Sequence, residues 1–418
     1  MMGLAGMRAV AGTMLTVVLA AGCASGAARP LTVPSETGPI TFAIGSDDIG
    51  WLGPVIAGWN KAHPKQKVSE LLLPEASNVQ LDQLVANLQA KSPVYDVIDM
   101  DVVWTAQFAS NGWIIPLSPK SFPLGDFLEP AVKTAMYQGR LWAVPDYSNA
   151  DLLYYRKDIV TTPPTTWAQL EHDATTIAPR RHLRGYAGTF ANYEGLTVSF
   201  AEAVQSVGGS ILNTAGTQVT LNTSQALRGL EFLVDGFRQG WIPAQTLGFE
   251  ELGAQTAFEK GQYLFLNDWP DVWATLGPDP GKKYGVVALP GSAAGEGSSS
   301  LGGANLAISA YSLHQRTALA FIQYLTQPAQ QRAMLTGGSF PPVLKSLYTD
   351  KTLTREYPYL STLYQAITRA QPRPAITDYD QASLVISSEV YQALKGELTP
   401  RAALAAMQSQ LTQIIRST

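Results

Sequence analysis

From Ile40 onward the chain alternates short apolar runs with longer stretches whose apolar positions recur at helical spacing. "ITFAIG" (Ile40 to Gly45) reads as a strand that breaks at "SDD", and "LGPVIAGWNKAH" follows as a helix. "KVSELLLP" is the next strand, "NVQLDQLVANLQAK" an amphipathic helix, and "YDVIDMDVVW" a third strand ending in acidic residues. This β-α-β-α-β order predicts a parallel sheet covered by helices on both faces. Ligands gather at the carboxyl ends of such strands. Asp47, Asp48 and Asp101 all fall at those ends, along one edge of the same unit.

After "QFASNGWIIPL" come two strand-like runs, "QGRLWAVPDY" and "ADLLYYRKDI". A second α/β region is predicted from about Ala150 to Ser300. It contains the helices "TWAQLEHDATTIA" and "SQALRGLEFLVDGFRQG" and the stretch "ELGAQTAFEKGQYLFLNDWPDVWATLG". "LGGANLAISA" is again a buried strand, and "QRTALAFIQYLTQPAQQRAML" reads as one amphipathic helix. The C-terminal part is helical, with Pro400 at a helix start.

The first residues have a different pattern. "MRAVAGTMLTVVLAAGCASGAARP" has a basic start at Arg8, an apolar run from about Ala9 to Ala21, and small residues before Cys23. That run is shorter than the roughly 20 residues a membrane-spanning helix needs, so it reads as a cleavable export signal. Cys23 is the chain's only cysteine, so no internal disulfide is expected. "LAAGC" is similar to a lipobox, with Ala20 where Leu is usual, and makes Cys23 the expected site of diacylglycerol attachment. Residues 1–23 are thus signal and lipobox, and 24–38, "ASGAARPLTVPSETG", a flexible tether to the membrane.

Composition narrows the functional classes. The remaining chain of about 400 residues can build two domains with substantial cores. Charged residues are 15% and the formal net charge is −4, with no Lys/Arg run to track phosphates, so no nucleic-acid partner is expected. His63, His172, His182 and His314 lie far apart and form no ligand spacing, so no metal and no cofactor are expected. There is no GxSxG elbow and no phosphate-binding GxxxxGK[ST] loop.

Several segments then match a family in order. "GWNKAHPKQKV", "DVIDMDVVWTAQFASNGWIIPL", "LWAVPDYSNADLLYYRKDI", "AFEKGQYLFLNDWPDVWA" and "LGGANLAIS" resemble landmarks of the maltose-type extracellular solute-binding proteins of bacterial ABC importers. "AFIQYLTQPAQQRAMLTGGSFPPVLKSLY" also resembles the segment that follows the family's return crossing. "DVVWTAQFA", "WPDVW" and "RPAITDY" most resemble the trehalose/maltose-binding branch. The resemblance implies a two-lobe periplasmic-binding-protein-like α/β fold whose lobes are joined by hinge crossing strands and close on a central ligand cleft. Crossings are expected near Tyr147 to Ala150, Gly302 to Asn305 and Lys345 to Tyr357. The lobes would be discontinuous: 39–148 with 304–350, and 149–303 with 351–418.

For the site, the resemblance implies that Asp101 binds two hydroxyls of one sugar, and that Asn149, with Tyr147 beside it, lies on the first crossing. Glu194 with Tyr193, the stacking ring of Trp269 and the fork of Arg373 follow, with Asp47 or Asp48 a polar contact in the first loop. Gly303 and Asn305 of the second crossing complete the set. Such groups suit a disaccharide, which offers hydroxyls to carboxylates and guanidinium and C–H faces to rings. Each residue also has a structural reading. Asp101 is a helix cap, Tyr147 and Asn149 hinge hydrogen-bonders, Glu194 a helix-start carboxylate, Trp269 a core residue, and Arg373 the ion partner of Asp378 or Asp380. Trp273 is expected to pack. Where some relatives carry a bulky residue after the double glycine, this chain has Ala304, which leaves room for another glucoside.

The implied function is a lipid-anchored, extracytoplasmic, monomeric receptor that takes trehalose, or maltose and its oligomers, to an ABC permease, and is not an enzyme. Two other classes compete. An exported glycoside hydrolase needs two carboxyls about 5–10 Å apart across the scissile bond, and a surface scaffold would lack a polar-aromatic cleft. A polyol phosphate would want cationic groups or a helix N-terminus, against which the acidic Asp47, Asp48 and Asp101 argue.

Overall fold

The computed structural model describes residues 36–46, 49–213 and 216–417. The expected signal, Cys23, the tether up to Ser35, and the pair Asp47–Asp48 lie outside the described residues.

The strands β1 (Ile40–Gly45), β2 (Val68–Leu73) and β3 (Val97–Asp101) come first, joined by helices Leu52–Ala62 and Ser77–Gln89. A hairpin of β4 (Met136–Tyr137) and β5 (Arg140–Leu141) leads into β6 (Val144–Ala150) and β7 (Leu152–Arg156). β8 (Arg184–Ala187), β9 (Tyr263–Asp268) and β10 (Tyr284–Ala288) follow, then β11 (Ser300–Ile308) and β12 (Gln371–Pro372).

Two main sheets form. In the first, β2, β1 and β3 are parallel neighbours, as the β-α-β-α-β pattern predicts. β11 then runs antiparallel to β3, pairing Ala304 with Asp101 and Ile308 with Val97. The other side of β11 pairs with β6, and β12 joins in parallel at Ser300 and Leu301. The second sheet has the order β10, β7, β9, β8. β6 and β7 are consecutive across Asp151, so one run of chain passes from the first sheet to the second. This is the two-lobe fold that the resemblance implies.

Burial explains the strand sequences. β1 and β3 are covered on both faces, and Phe42, Ala43, Ile44, Val97, Ile98 and Met100 are all buried. β2 is an edge strand and turns Glu70 and Leu72 outward. One core cluster surrounds the first sheet, where Phe321 meets Phe42 and Trp59 edge-on at 5.6 and 5.4 Å. The other lies between the second sheet and the last two helices, Tyr379–Leu394 and Pro400–Ser417. No helix among the described residues is long and apolar enough to cross a membrane.

Three expectations change. The stretch read as one helix from Gln315 is two, Gln315–Leu325 and Pro328–Gly338, because proline is tolerated at the first helical position and not inside a helix. The segment from Glu251 divides into helix Glu251–Glu259, strand β9 and a short helix, Val272–Thr275. Around Lys345 to Tyr357 the chain is helical rather than extended. The next helix, Leu360–Arg369, packs on both β6 and β10, and the chain rejoins β11 only at β12.

At the first crossing β6 slips against β11: Tyr147 faces Ala304, but Pro145 faces Asn305, so Asp146 is an extra residue in a β-bulge. Asp146 is buried, neither carboxyl oxygen has a hydrogen-bond partner among the described residues, and burial pushes it up to about 7.

Candidate functional site

A cavity of about 520 Å³ lies between the two sheets, with walls from both lobes. Sheet register assembles it. Ala304 is opposite Asp101 on one side and Tyr147 on the other, and Gly302 is opposite Asn149. Paired residues, and those two apart along a strand, project to the same face, so Asp101, Tyr147 and Asn149 share one wall.

Asp101 ends β3 and does two things. Its Oδ1 accepts from the Val103 backbone N–H at 3.1 Å, so the helix-cap reading holds. It also receives Arg373, Nη2 to Oδ1 at 2.7 Å and Nη1 to Oδ2 at 3.2 Å. Nη1 of Arg373 further donates to Glu194, the first residue of helix Glu194–Gln205. Glu194 also accepts from the Tyr379 hydroxyl at 2.6 Å and from Ser383. Arg373 therefore joins carboxylates from the two lobes, rather than pairing with Asp378 or Asp380. Its side chain is 2% exposed. Burial pulls its pKa down, but Asp101, Tyr379 and Glu194 outweigh that and hold the guanidinium charged. Burial pushes Glu194 up, and Arg373 works against it.

Two polar atoms on this wall have no hydrogen-bond partner among the described residues. Oδ1 of Asn149 and Nε of Arg373 are buried and unbonded. Trp269 follows β9, its carbonyl accepting from the Tyr154 hydroxyl at 2.9 Å and its N–H donating to Asp268 at 2.8 Å. Its backbone is thus fixed while the half-buried ring lines the cavity. The ring lies over Gly302, where an added Cβ would come 2.7 Å from it and collide with Asn149. Tyr147 also lines the cavity, its ring centroid 5.2 Å from that of Phe340. Trp273 packs on Tyr359 at 5.1 Å.

Two expected residues stand elsewhere. Asn305 is fully buried and bonds Thr105 at 3.2 Å and Thr134 at 3.1 Å. Its place next to Ala304 puts its side chain on the opposite face of β11 from the cavity. Tyr193 folds its ring back over Gly195 behind the helix start and is buried, with its phenol pushed well up by that burial. Gly303 lines the cavity at φ +115°.

Comparison with known proteins gives a consistent picture. Residues 56–358 match the family described as bacterial extracellular solute-binding protein. The chain belongs to that family. A probable ABC transporter-binding protein of Deinococcus radiodurans is 32% identical over 361 residues, 82% of this chain and 85% of the relative. The galactooligosaccharide-binding protein of Bacillus subtilis is 22% identical over 74% of each chain. Among solved structures, maltose-bound MalE3 of T. maritima superposes with a TM-score of 0.86 at 29% identity, covering 90% of this chain and 100% of that one. The GacH receptor of Streptomyces glaucescens shares the fold, at a TM-score of 0.81 and 22% identity over 91% of this chain and 99% of that one. The protein is an extracytoplasmic solute-binding protein, not an enzyme.

The solute-binding protein also lines its cleft with residues the sequence reading passed over. Glu75 lies just past the carboxyl end of β2, where the strand-end rule applied to β1 and β3 points equally. Trp104 stands three residues after Asp101 in the same motif, and Phe340 follows the glycine pair Gly337–Gly338. Glu251 and Asp271 come from the second lobe, and only Asp271's place beside Trp269 signalled it.

Behind the cleft wall is a buried carboxylate cluster. Glu202 accepts from Asn267 and from the Ser300 N–H, both at 3.0 Å. Asp151 and Asp268 are buried nearby. Burial pushes Glu202 up to about 7 and Asp271 up to about 6, and raises Asp151 and Asp268 well above the ordinary carboxylate range. In the unfolded chain such groups titrate near 4. Between about pH 4.5 and 7 the folded state therefore holds more protons than the unfolded one, so stability falls as pH rises through that window. Thermal unfolding scanned from pH 4.5 to 8 is expected to show Tm decreasing, and Glu202→Gln to flatten the decline. A Tm that climbs across the window would contradict this.

Proposed function

We propose that the protein is the receptor of a carbohydrate ABC importer, closing its two lobes on a disaccharide, with trehalose the leading ligand. The observation that carries this reading is the cleft wall at Arg373. A guanidinium held between carboxylates of two lobes stands beside an unbonded acceptor, Asn149 Oδ1, an unbonded donor, Arg373 Nε, and the indole plate of Trp269. Vicinal hydroxyls can both donate and accept, and a sugar's C–H face suits the ring. The maltose in a relative at 29% identity supports a sugar in this cleft. The room at Ala304 leaves maltose as the second reading. The receptor would be monomeric, held to the membrane by acylated Cys23, and would deliver its ligand to the permease by hinge closure.

The test is a thermal-shift panel on protein lacking the lipidation signal, with trehalose, maltose, maltotriose, sucrose, glucose and glycerol-3-phosphate. Ligand at 100 times its Kd raises stability by about 2.7 kcal/mol. Trp269→Ala removes the plate without unpairing a charge, and is expected to weaken binding about 10- to 100-fold, roughly 1.4–2.8 kcal/mol. A folded protein unmoved by every sugar would refute the proposal.

A further inference from the structure

Glu194 is held from behind the cleft by the helix Tyr379–Leu394. Tyr379 is the first residue of that helix and Ser383 lies one turn on, so both hydroxyls leave the same face. Both donate to Glu194, Tyr379 to Oε1 at 2.6 Å and Ser383 to Oε2. Ser383 is itself fixed by Thr197, which stands one turn past Glu194 on the facing helix, at 2.9 Å between hydroxyl oxygens. Tyr379 and Ser383 are buried, and neither lines the cavity that Glu194 and Arg373 line.

This bonding leaves Glu194 little to offer a ligand. An ionised carboxylate has about four acceptor sites. Arg373 and Tyr379 occupy Oε1, and Ser383 takes part of Oε2. The bond Glu194 makes into the cleft wall is the one to Arg373, which Asp101 holds from the other side. The ring of Tyr379 also lies 6.0 Å from the guanidinium carbon of Arg373, at the reach of a cation–π contact. One helix thus supports both members of the pair.

We propose that Tyr379 and Ser383 are positioning residues for saccharide binding: they touch no ligand, and they aim Glu194 so that it holds Arg373 in place on the cleft wall. This rests on the carbohydrate reading above and adds to it two residues that shape the site from outside the cavity. Charge supports the same role. Burial raises Glu194, and Asp101 adds to that, while Arg373, Ser383 and Tyr379 work against it. The other carboxylates of the cavity wall are Glu75, Asp99, Glu251 and Asp271. Each donated hydroxyl favours the ionised form that Arg373 needs. Without one of them, Glu194 takes up a proton and releases Arg373 at a higher pH, so affinity is lost sooner on the acid side.

Tyr379→Phe and Ser383→Ala each delete one hydroxyl. Calorimetric titration of both variants and the wild type with trehalose and maltose, from about pH 5.5 to 8.5, tests the proposal. The ratio of affinity at about pH 8 to that at about pH 6 is expected to be about tenfold larger in each variant than in the wild type. Asp146, Glu202 and Asp271 are the same in all three proteins and drop out of that comparison. Unfolding midpoints establish that the variants are folded. A ratio that neither folded variant changes would overturn the inference and leave the carbohydrate reading intact, even if affinity fell by one factor at every pH, because a purely structural role gives that result. No binding of either sugar by the wild type would overturn the disaccharide reading and the inference with it.

Discussion

In the Arg373→Ala variant, saccharide binding is expected to vanish and the fold to lose about 3–5 kcal/mol, the usual cost of removing one partner of a buried ion pair. The magnitude follows from what remains. Asp101 and Glu194 stay in a largely desolvated wall, one from each lobe, with the cation that separated them gone. Asp101 keeps its Val103 N–H, and Glu194 keeps Tyr379 and Ser383, so local structure survives while the two lobes repel at the seam. Arg373→Lys is the informative companion. It retains the charge but not the fork, so it should recover part of the stability and little of the binding. Chemical denaturation and calorimetry on the same preparations separate the two. An alanine variant with unchanged unfolding midpoint would show that the bridge contributes nothing net.

The second large effect is expected at Gly303. Its φ of +115° is disallowed for a β-branched residue, and a Cβ there would lie 2.8 Å from the Ser148 Cα. Backbone strain of this kind costs about 1–3 kcal/mol, and the clash with β6 adds to it. Gly303→Val should therefore lower the denaturation midpoint well beyond the strain alone, because it pushes apart β6 and β11 at the crossing. Gly112→Ala serves as control. That glycine is also at positive φ, +67°, but an added Cβ meets nothing within 4 Å, so its cost is strain only, about 1 kcal/mol. Equal losses for the two would contradict the steric account.

The parts of the fold visible in the sequence were those that depend on local periodicity. β1, β2 and β3 and the helices between them follow from runs of apolar residues, because both faces of β1 and β3 are covered. The order of the landmarks named the family and so brought Asp101, Asn149, Glu194, Trp269 and Arg373 within view of one another. What local pattern could not supply was pairing. Asn305 and Ala304 are neighbours in sequence, yet the alternation along β11 sends one to the cavity and the other to Thr105 and Thr134. Nor did the sequence say that Arg373 would choose Asp101 and Glu194 over the nearer Asp378 and Asp380, a choice made by where β12 docks on β11. Pro328 carries the signal of the break, because proline begins a helix more readily than it continues one, while the apolar period runs on across it.

The late position of strand β11 in the chain also sets the order of events in folding. β3 is complete early in the chain, but its outer edge waits for a partner that arrives after the whole second sheet; Asn305 and Thr105, bonded across that pairing, are 200 residues apart. Closing so long a loop before any contact rewards it slows the search. The first sheet therefore matures only once β11 is added, whereas the four strands of the second all precede β11 and can pair before it, so refolding of the first sheet should end on a late step. Until β11 is added, the first sheet keeps an open edge at β3.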